Sequence, residues 1–162
     1  MGEPEVVRDT RQLKLPDLPA LRELLLQVTA FDAAEVACAI EVATAATQPG
    51  NLDYMARGAF AGGTLAGFII YGPTPMTRGT YDLYWIATAP HLRGGGFGSR
   101  LLSEMERDLR AQGARLVRVE TSGTDGYEAT RGFYDARGYL ETARISDFYR
   151  PGDDLIILTK RL

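Results

Sequence analysis

The sequence predicts an α/β (α+β) chain built on a mixed, mostly antiparallel central sheet of about seven strands and about four helices. Three observations lead there. Apolar runs of period 2 and period 3.6 alternate along the chain. Gly62-Gly63 and Pro151-Gly152-Asp153-Asp154 each join two strand-like runs, which makes antiparallel hairpins. Between those hairpins, one glycine-rich segment leads from a strand into a long amphipathic helix and then into another strand, the pattern of a right-handed parallel crossover.

Taken in order, Asp17 precedes LPALRELLLQV, in which Leu21, Leu24, Leu25 and Val28 fall at helical spacing and Pro19 is tolerated in the first turn. Asp32 and Glu35 form a capping box for a second helix whose stripe is Val36, Ala39, Ile40 and Ala43, stopped at Pro49-Gly50. Cys38, among alanines, reads as a small buried hydrophobe. YMARGAF and TLAGFIIY are the first hairpin, and Gly72-Pro73-Thr74-Pro75 ends it. YDLYWIAT is a long central strand with Asp82, Tyr84, Ile86 and Thr88 on one face.

Residues 96–112 carry Phe97, Leu101, Leu102, Met105 and Leu109 at helical spacing, with Gly113 as the terminating glycine. LVRVETS is the next strand. Asp125 and Glu128 read as a second capping box, ahead of a short helix with Ala129, Gly132, Phe133 and Ala136 on its buried face, ending at Gly138. TARISDFY and LIILTKRL close the chain as a hairpin. The element order is β-α-α-β-β-β-α-β-α-β-β.

Composition narrows the function. The 162 residues suit one domain, 1–162, without repeat, linker or low-complexity tract. Eighteen Lys+Arg against 21 Asp+Glu give a formal charge of −3, which argues against nucleic acid as a partner. A single cysteine and the single His91, in a proline-flanked loop facing solvent, cannot furnish a structural zinc site, so no metal is expected. The longest apolar run, about residues 65–71, is too short to span a bilayer, and MGEPEVVRDTR lacks a signal-peptide pattern, so no membrane partner and a cytoplasmic location are expected.

The segment that carries chemistry is ATAPHLRGGGFGSRLL. A strand ends at Thr88, Pro90 stops pairing, and Arg93-Gly94-Gly95-Gly96-Phe97-Gly98 opens a helix. The first turn of a helix has unpaired N–H groups and a partial positive charge, and glycines let the backbone wrap an anion without Cβ clashes. Arg93 adds a cation, and Ser99 and Arg100 a hydroxyl and a second cation. A P-loop is excluded, because no lysine lies between Lys14 and Lys160. A dinucleotide fingerprint is the closer rival: Gly96-x-Gly98 follows a strand and Glu120 ends the next one, but Leu101 holds the third glycine position.

R-x-x-G-x-G at this place, together with FYDARGY (residues 133–139) about 40 residues on, resembles the acetyl-CoA-dependent N-acetyltransferases of the GNAT superfamily. The element order agrees over most of the chain. The resemblance implies that the strands flanking the glycine helix splay apart, with the pantetheine arm of acetyl-CoA beside Ile86, Ala87 and Thr88 and its diphosphate held by Arg93, Gly94, Gly95, Gly96, Phe97, Gly98 and Ser99. It implies too that Tyr134 lies by the cofactor sulfur and protonates the departing thiolate. Tyr127 and Thr130 depart from the family's usual asparagine and alanine.

An amine acceptor must lose a proton before attack, and two carboxylates are candidate bases: Glu120, near the end of its strand, and Asp82, with Glu120 preferred. The expected activity is acetyl transfer from acetyl-CoA to an amine-bearing acceptor in a ternary complex. A non-catalytic acyl-CoA-binding module and an NAD(P)-dependent oxidoreductase are the alternatives. The acceptor is expected over the first two helices and the loops 73–79 and 147–153, beside Tyr81, Tyr84, Trp85, Phe148 and Tyr149. The C-terminal strands allow a homodimer.

Overall fold

The computed structural model describes residues 8–162. Its elements are β1 (Arg8–Gln12), α1 (Leu18–Gln27), α2 (Ala33–Ala46), β2 (Met55–Ala61), β3 (Thr64–Pro73), β4 (Thr80–Thr88), α3 (Phe97–Ala111), β5 (Leu116–Ser122), α4 (Glu128–Asp135), β6 (Leu140–Arg150) and β7 (Asp153–Arg161). The seven strands have the order β1-β2-β3-β4-β5-β7-β6, with β4 and β5 parallel. The expected mixed sheet and four α-helices are present. The chain divides into two compact units, one running through Gly72 and including Trp85–Asp108, the other made of Pro73–Tyr84 and Leu109–Leu162.

In the first unit, α1 and α2 bury Leu21, Leu24, Leu25, Val36, Ala39 and Ala43 in one cluster with Phe60, Phe68 and Ile70 of β2 and β3. The capping box of α2 forms in both directions: Glu35 N–H donates to Asp32 and Asp32 N–H donates to Glu35, each at 2.8 Å. Helix α2 stops at Ala46, three residues before Pro49-Gly50, where Thr44 and Thr47 hydroxyls donate to the carbonyls of Ile40 and Thr44. Cys38 is exposed, contrary to the sequence expectation. It lies two residues from both Val36 and Ile40, about 200° around the helix from the stripe. Gly62 and Gly63 have φ of 56° and 84°, the pair of positive values a tight hairpin turn requires.

Helix α3 begins in this unit and is tied to β1 and β2 by a charged network. Glu104 accepts from the hydroxyl of Thr10 and pairs with Arg57 at 3.0 Å and with Arg100 at 3.2 Å, while Arg57 also reaches Asp108 at 3.0 Å. Burial pushes the Glu104 carboxyl upward, but the hydroxyl and the two guanidinium groups outweigh it and hold it below the usual range.

In the second unit, β7 lies between β5 and β6, pairing antiparallel with both, and β6 is exposed along all eleven residues. The closing turn is Pro151-Gly152; Asp153 and Asp154 already belong to β7. The last turn of α3 ends on Gly113 (φ 79°), with Ala114 N–H on Leu109 C=O and Gly113 N–H on Arg110 C=O, a Schellman stop. Helix α4 departs from expectation at its start. Asp125 sits inside a 3₁₀ turn, residues 125–127, so it cannot adopt the extended N-cap conformation, and Tyr127 occupies the cap position, its side chain making no capping bond to the helix. Its buried residue is Tyr134, whereas Ala129, Gly132 and Ala136 are exposed. Among its eight residues the aromatic pair Phe133 and Tyr134 offers the apolar area worth burying, and alanine and glycine offer little.

Candidate functional site

In the first unit, β4 ends at Thr88 and the chain makes a 3₁₀ turn at Pro90–Leu92 before the glycines. Gly67 of β3 passes close beneath this point: a Cβ there would stand 2.9 Å from the Ala87 carbonyl oxygen. Ile86, Ala87 and Thr88 are half-buried. The loop uses a few of its own amides, with Arg93 N–H donating to Pro90 C=O and Gly95 N–H to Leu92 C=O at 3.2 Å. The first helical bond is Arg100 N–H to Gly96 C=O at 3.0 Å. Among the described residues, the N–H groups of Gly94, Gly96, Phe97 and Gly98 meet no acceptor.

The glycines have separate duties. Gly94 and Gly96 have φ of 80° and 82°, and a Cβ on either would touch nothing, so they are needed for backbone conformation and leave open space above the loop. Gly95 is needed for room, since its Cβ would lie 3.0 Å from the Phe97 ring and 3.1 Å from the Leu92 carbonyl. Phe97 is buried and anchors the helix start, while Arg93, four residues earlier, is exposed. These four donors, without acceptors among the described residues, stand at the positive end of a fifteen-residue helix, an arrangement that suits an anion.

In the second unit, the parallel pairing of β4 with β5 covers Thr80 to Leu83 against Leu116 to Val119 and goes no further, although both strands continue. Asp82 and Arg118 are cross-strand partners in that register. Asp82 is buried and accepts from Arg118 Nε at 2.6 Å, and this bond raises the Arg118 guanidinium above its ordinary value despite partial burial. Glu120 lies 3.9 Å from the same guanidinium and is half exposed, so its carboxylate faces water. The structure therefore brings the two predicted carboxylates to one arginine, with Asp82 committed to it and Glu120 available.

Tyr134 is 2% exposed, with its ring edge-on to Phe133 at 5.4 Å and to Tyr139 at 5.3 Å. Its position follows from how α4 ends. Gly138 (φ 83°) donates to Asp135 C=O, and Tyr139 N–H donates to Tyr134 C=O at 3.1 Å, which places Tyr134 and Tyr139 at the two positions whose side chains meet in a Schellman motif. FYDARGY is thus a helix stop that fixes one tyrosine. Burial raises the Tyr134 phenol above its ordinary value, so it stays protonated, and its hydroxyl bonds to no described residue.

Two participants escaped the sequence reading. Arg118 was legible in principle, since alternation along LVRVETS sets it on the face of Glu120. Arg8, whose Nη1 donates to the Gly95 carbonyl at 2.7 Å, carries no local signal, because the contact spans 87 residues. Of the expected aromatic wall, Tyr84, Phe148 and Tyr149 are exposed, whereas Trp85 rests on the core of the first unit. A cavity of about 380 Å³ in that unit, bordered by Lys14, Gln48, Asn51 and Tyr54, contains none of the expected site residues. Among the described residues no group of three His, Cys, Asp or Glu could hold a metal, and no helix is long and apolar enough to cross a membrane.

Residues 20–139 match the model of the Acetyltransferase (GNAT) family, and the chain belongs to that family. It is 39% identical, with a TM-score of 0.91, to a Desulfovibrio desulfuricans protein assigned to the GNAT acetyltransferases, over 96% of this chain and 99% of that one. The fold also matches the ribosomal-protein-S18-alanine N-acetyltransferase of Escherichia coli (22% identity, TM-score 0.77, 96% and 94% of the two chains). PaiA N-acetyltransferase of Thermoplasma acidophilum, solved with coenzyme A, matches at 21% identity and TM-score 0.74 over 96% and 99%. No curated protein matches the chain.

Proposed function

We propose that this protein is an N-acetyltransferase that moves the acetyl group of acetyl-CoA to a primary amine by direct attack in a ternary complex. The observation that carries the reading is the row of amides at Gly94, Gly96, Phe97 and Gly98 that meet no acceptor among the described residues, opening α3 in a GNAT chain. These amides, with Arg93, would hold the diphosphate, and Ile86, Ala87 and Thr88 would flank the pantetheine arm. The coenzyme A complex of the Thermoplasma relative supports the choice of donor.

Acetyl-CoA, when bound, supplies the thioester carbonyl that the amine attacks and the thiolate that leaves. Glu120 accepts, through a water, the proton that the acceptor's ammonium must lose to expose its lone pair. Arg118, held by Asp82, stands 3.9 Å from Glu120 and would fix the direction in which that carboxylate faces the water. Tyr134, kept protonated by burial, would donate its phenolic proton to the sulfur as the C–S bond breaks and be reprotonated, through water, by the second proton that the attacking nitrogen sheds in becoming an amide. The new bond is an amide C–N bond; the products are the acetylated amine and coenzyme A.

Free-thiol release from acetyl-CoA, measured over a panel of amines, amino acids and peptides, tests the proposal. Thiol release that depends on at least one amine is expected, together with thermal stabilisation by CoA. Stabilisation by NAD(P)H and not by CoA overturns the donor assignment, and CoA binding without transfer to any acceptor overturns the catalytic one.

A further inference from the structure

We infer that Arg8, at the start of β1, is a positioning residue for the glycine loop: it sets the direction in which the loop presents its anion-binding amides. This rests on the reading that the loop holds the diphosphate of coenzyme A. Arg8 Nη1 donates to the Gly95 carbonyl oxygen at 2.7 Å. The described chain has no cis peptide, and in a trans peptide the C=O and the following N–H point in opposite directions. A guanidinium that grips Gly95 C=O therefore turns Gly96 N–H away from Arg8, and that N–H meets no acceptor among the described residues.

The brace is needed because the loop itself is loose. The gripped peptide lies between Gly95 and Gly96, and neither carries a Cβ to oppose a change of ψ at 95 and φ at 96, so the Gly95–Gly96 peptide can flip at little internal cost. Arg8 is itself fixed from three sides. Its backbone pairs with Ala61 of β2, its carbonyl accepts from Arg100 Nη1 at 3.1 Å, and its guanidinium lies 5.2 Å from the centre of the Phe97 ring. Phe97 in turn bears on Gly95. One cation thus joins the edge strand, the loop and the first turn of α3.

Calorimetric titration with CoA and, separately, with pantetheine, which lacks the diphosphate, tests the role in the intact chain. Arg8→Ala is expected to weaken CoA about 3- to 10-fold, the effect of losing one exposed charge-assisted bond, with pantetheine affinity and the unfolding midpoint unchanged. Arg8→Lys, which keeps a donor, should recover at least half of that loss, and it serves as the probe if the alanine variant folds poorly. In the free protein, the Gly96 amide resonance should shift or broaden in Arg8→Ala. If wild type binds CoA and Arg8→Ala binds it equally well, the inference fails while the loop assignment stands. Equal losses for CoA and pantetheine also overturn it. Wild type that takes up no CoA removes the reading beneath it.

Discussion

Replacing Gly96 by alanine separates backbone conformation from every other property of the loop. No atom lies within 4 Å of where the new Cβ would stand, so no clash arises, and the whole effect comes from φ of +82°. An L-residue held in that region costs about 1–2 kcal/mol. The variant can meet this cost in two ways. It can keep the loop shape and lose stability, or it can let residue 96 relax to negative φ and lose the aligned amides. Gly94 and Gly96 are exposed and the loop is held by few bonds, so relaxation is the cheaper course and the cost moves into binding. At about 1.4 kcal/mol per factor of ten, CoA affinity should fall roughly 5- to 30-fold. Gly63→Ala is the matched control: φ is +84°, its Cβ would also meet nothing, and it sits in the β2–β3 hairpin turn. That variant should lose about 1 kcal/mol of stability and bind CoA normally. Calorimetry with CoA and thermal unfolding of both proteins decide the matter. If Gly96→Ala binds CoA within twofold of wild type while losing the same stability as Gly63→Ala, the loop conformation is not what receives the diphosphate.

Tyr134→Phe should lower kcat about 100-fold or more, the ordinary contribution of a positioned general acid, with CoA affinity within about twofold of wild type; unchanged kcat removes the proton-donor role. Because burial raises this phenol, the alkaline limb of the rate profile below about pH 10 should be the same in both enzymes, which a pH series of initial rates checks. Glu120→Gln should cut kcat/KM at neutral pH by about 100-fold with CoA affinity within about twofold of wild type; an unchanged kcat/KM assigns the base elsewhere. Glu104 is held below the usual carboxylate range, so its contribution to stability is present above its unfolded value of about 4.5 and disappears as pH falls through the lower folded value. Glu104→Gln should therefore flatten the loss of thermal stability between about pH 6 and pH 3, and an unaltered slope would show that the network with Thr10, Arg57 and Arg100 is not ionically coupled to folding.

How far these features could be read in advance depends on whether their causes are local. The glycine loop was legible because two positive φ values and one close approach to Phe97 each demand glycine, and they follow a strand and open a helix with a regular apolar stripe. The α2 capping box was legible because its partners are three residues apart. Tyr134 was placed on the correct helix, but the helix face was misjudged, because counting small residues as apolar ignores how little area alanine and glycine bury. The glycine and second aromatic of FYDARGY held the better signal, since a Schellman stop brings Tyr134 and Tyr139 together. Cys38 was misjudged although the stripe of Val36, Ala39, Ile40 and Ala43 already turned it outward. The Asp82–Arg118 bond and the Arg8 brace depend on strand register and on a contact across 87 residues, and no window of sequence contains either.

A crystal of the protein grown with acetyl-CoA addresses the central claim without reference to any acceptor. Diphosphate oxygens within about 2.7–3.2 Å of the amide nitrogens of Gly96, Phe97 and Gly98 are the expected result. A diphosphate bound elsewhere, with those three amides facing only water, would contradict it.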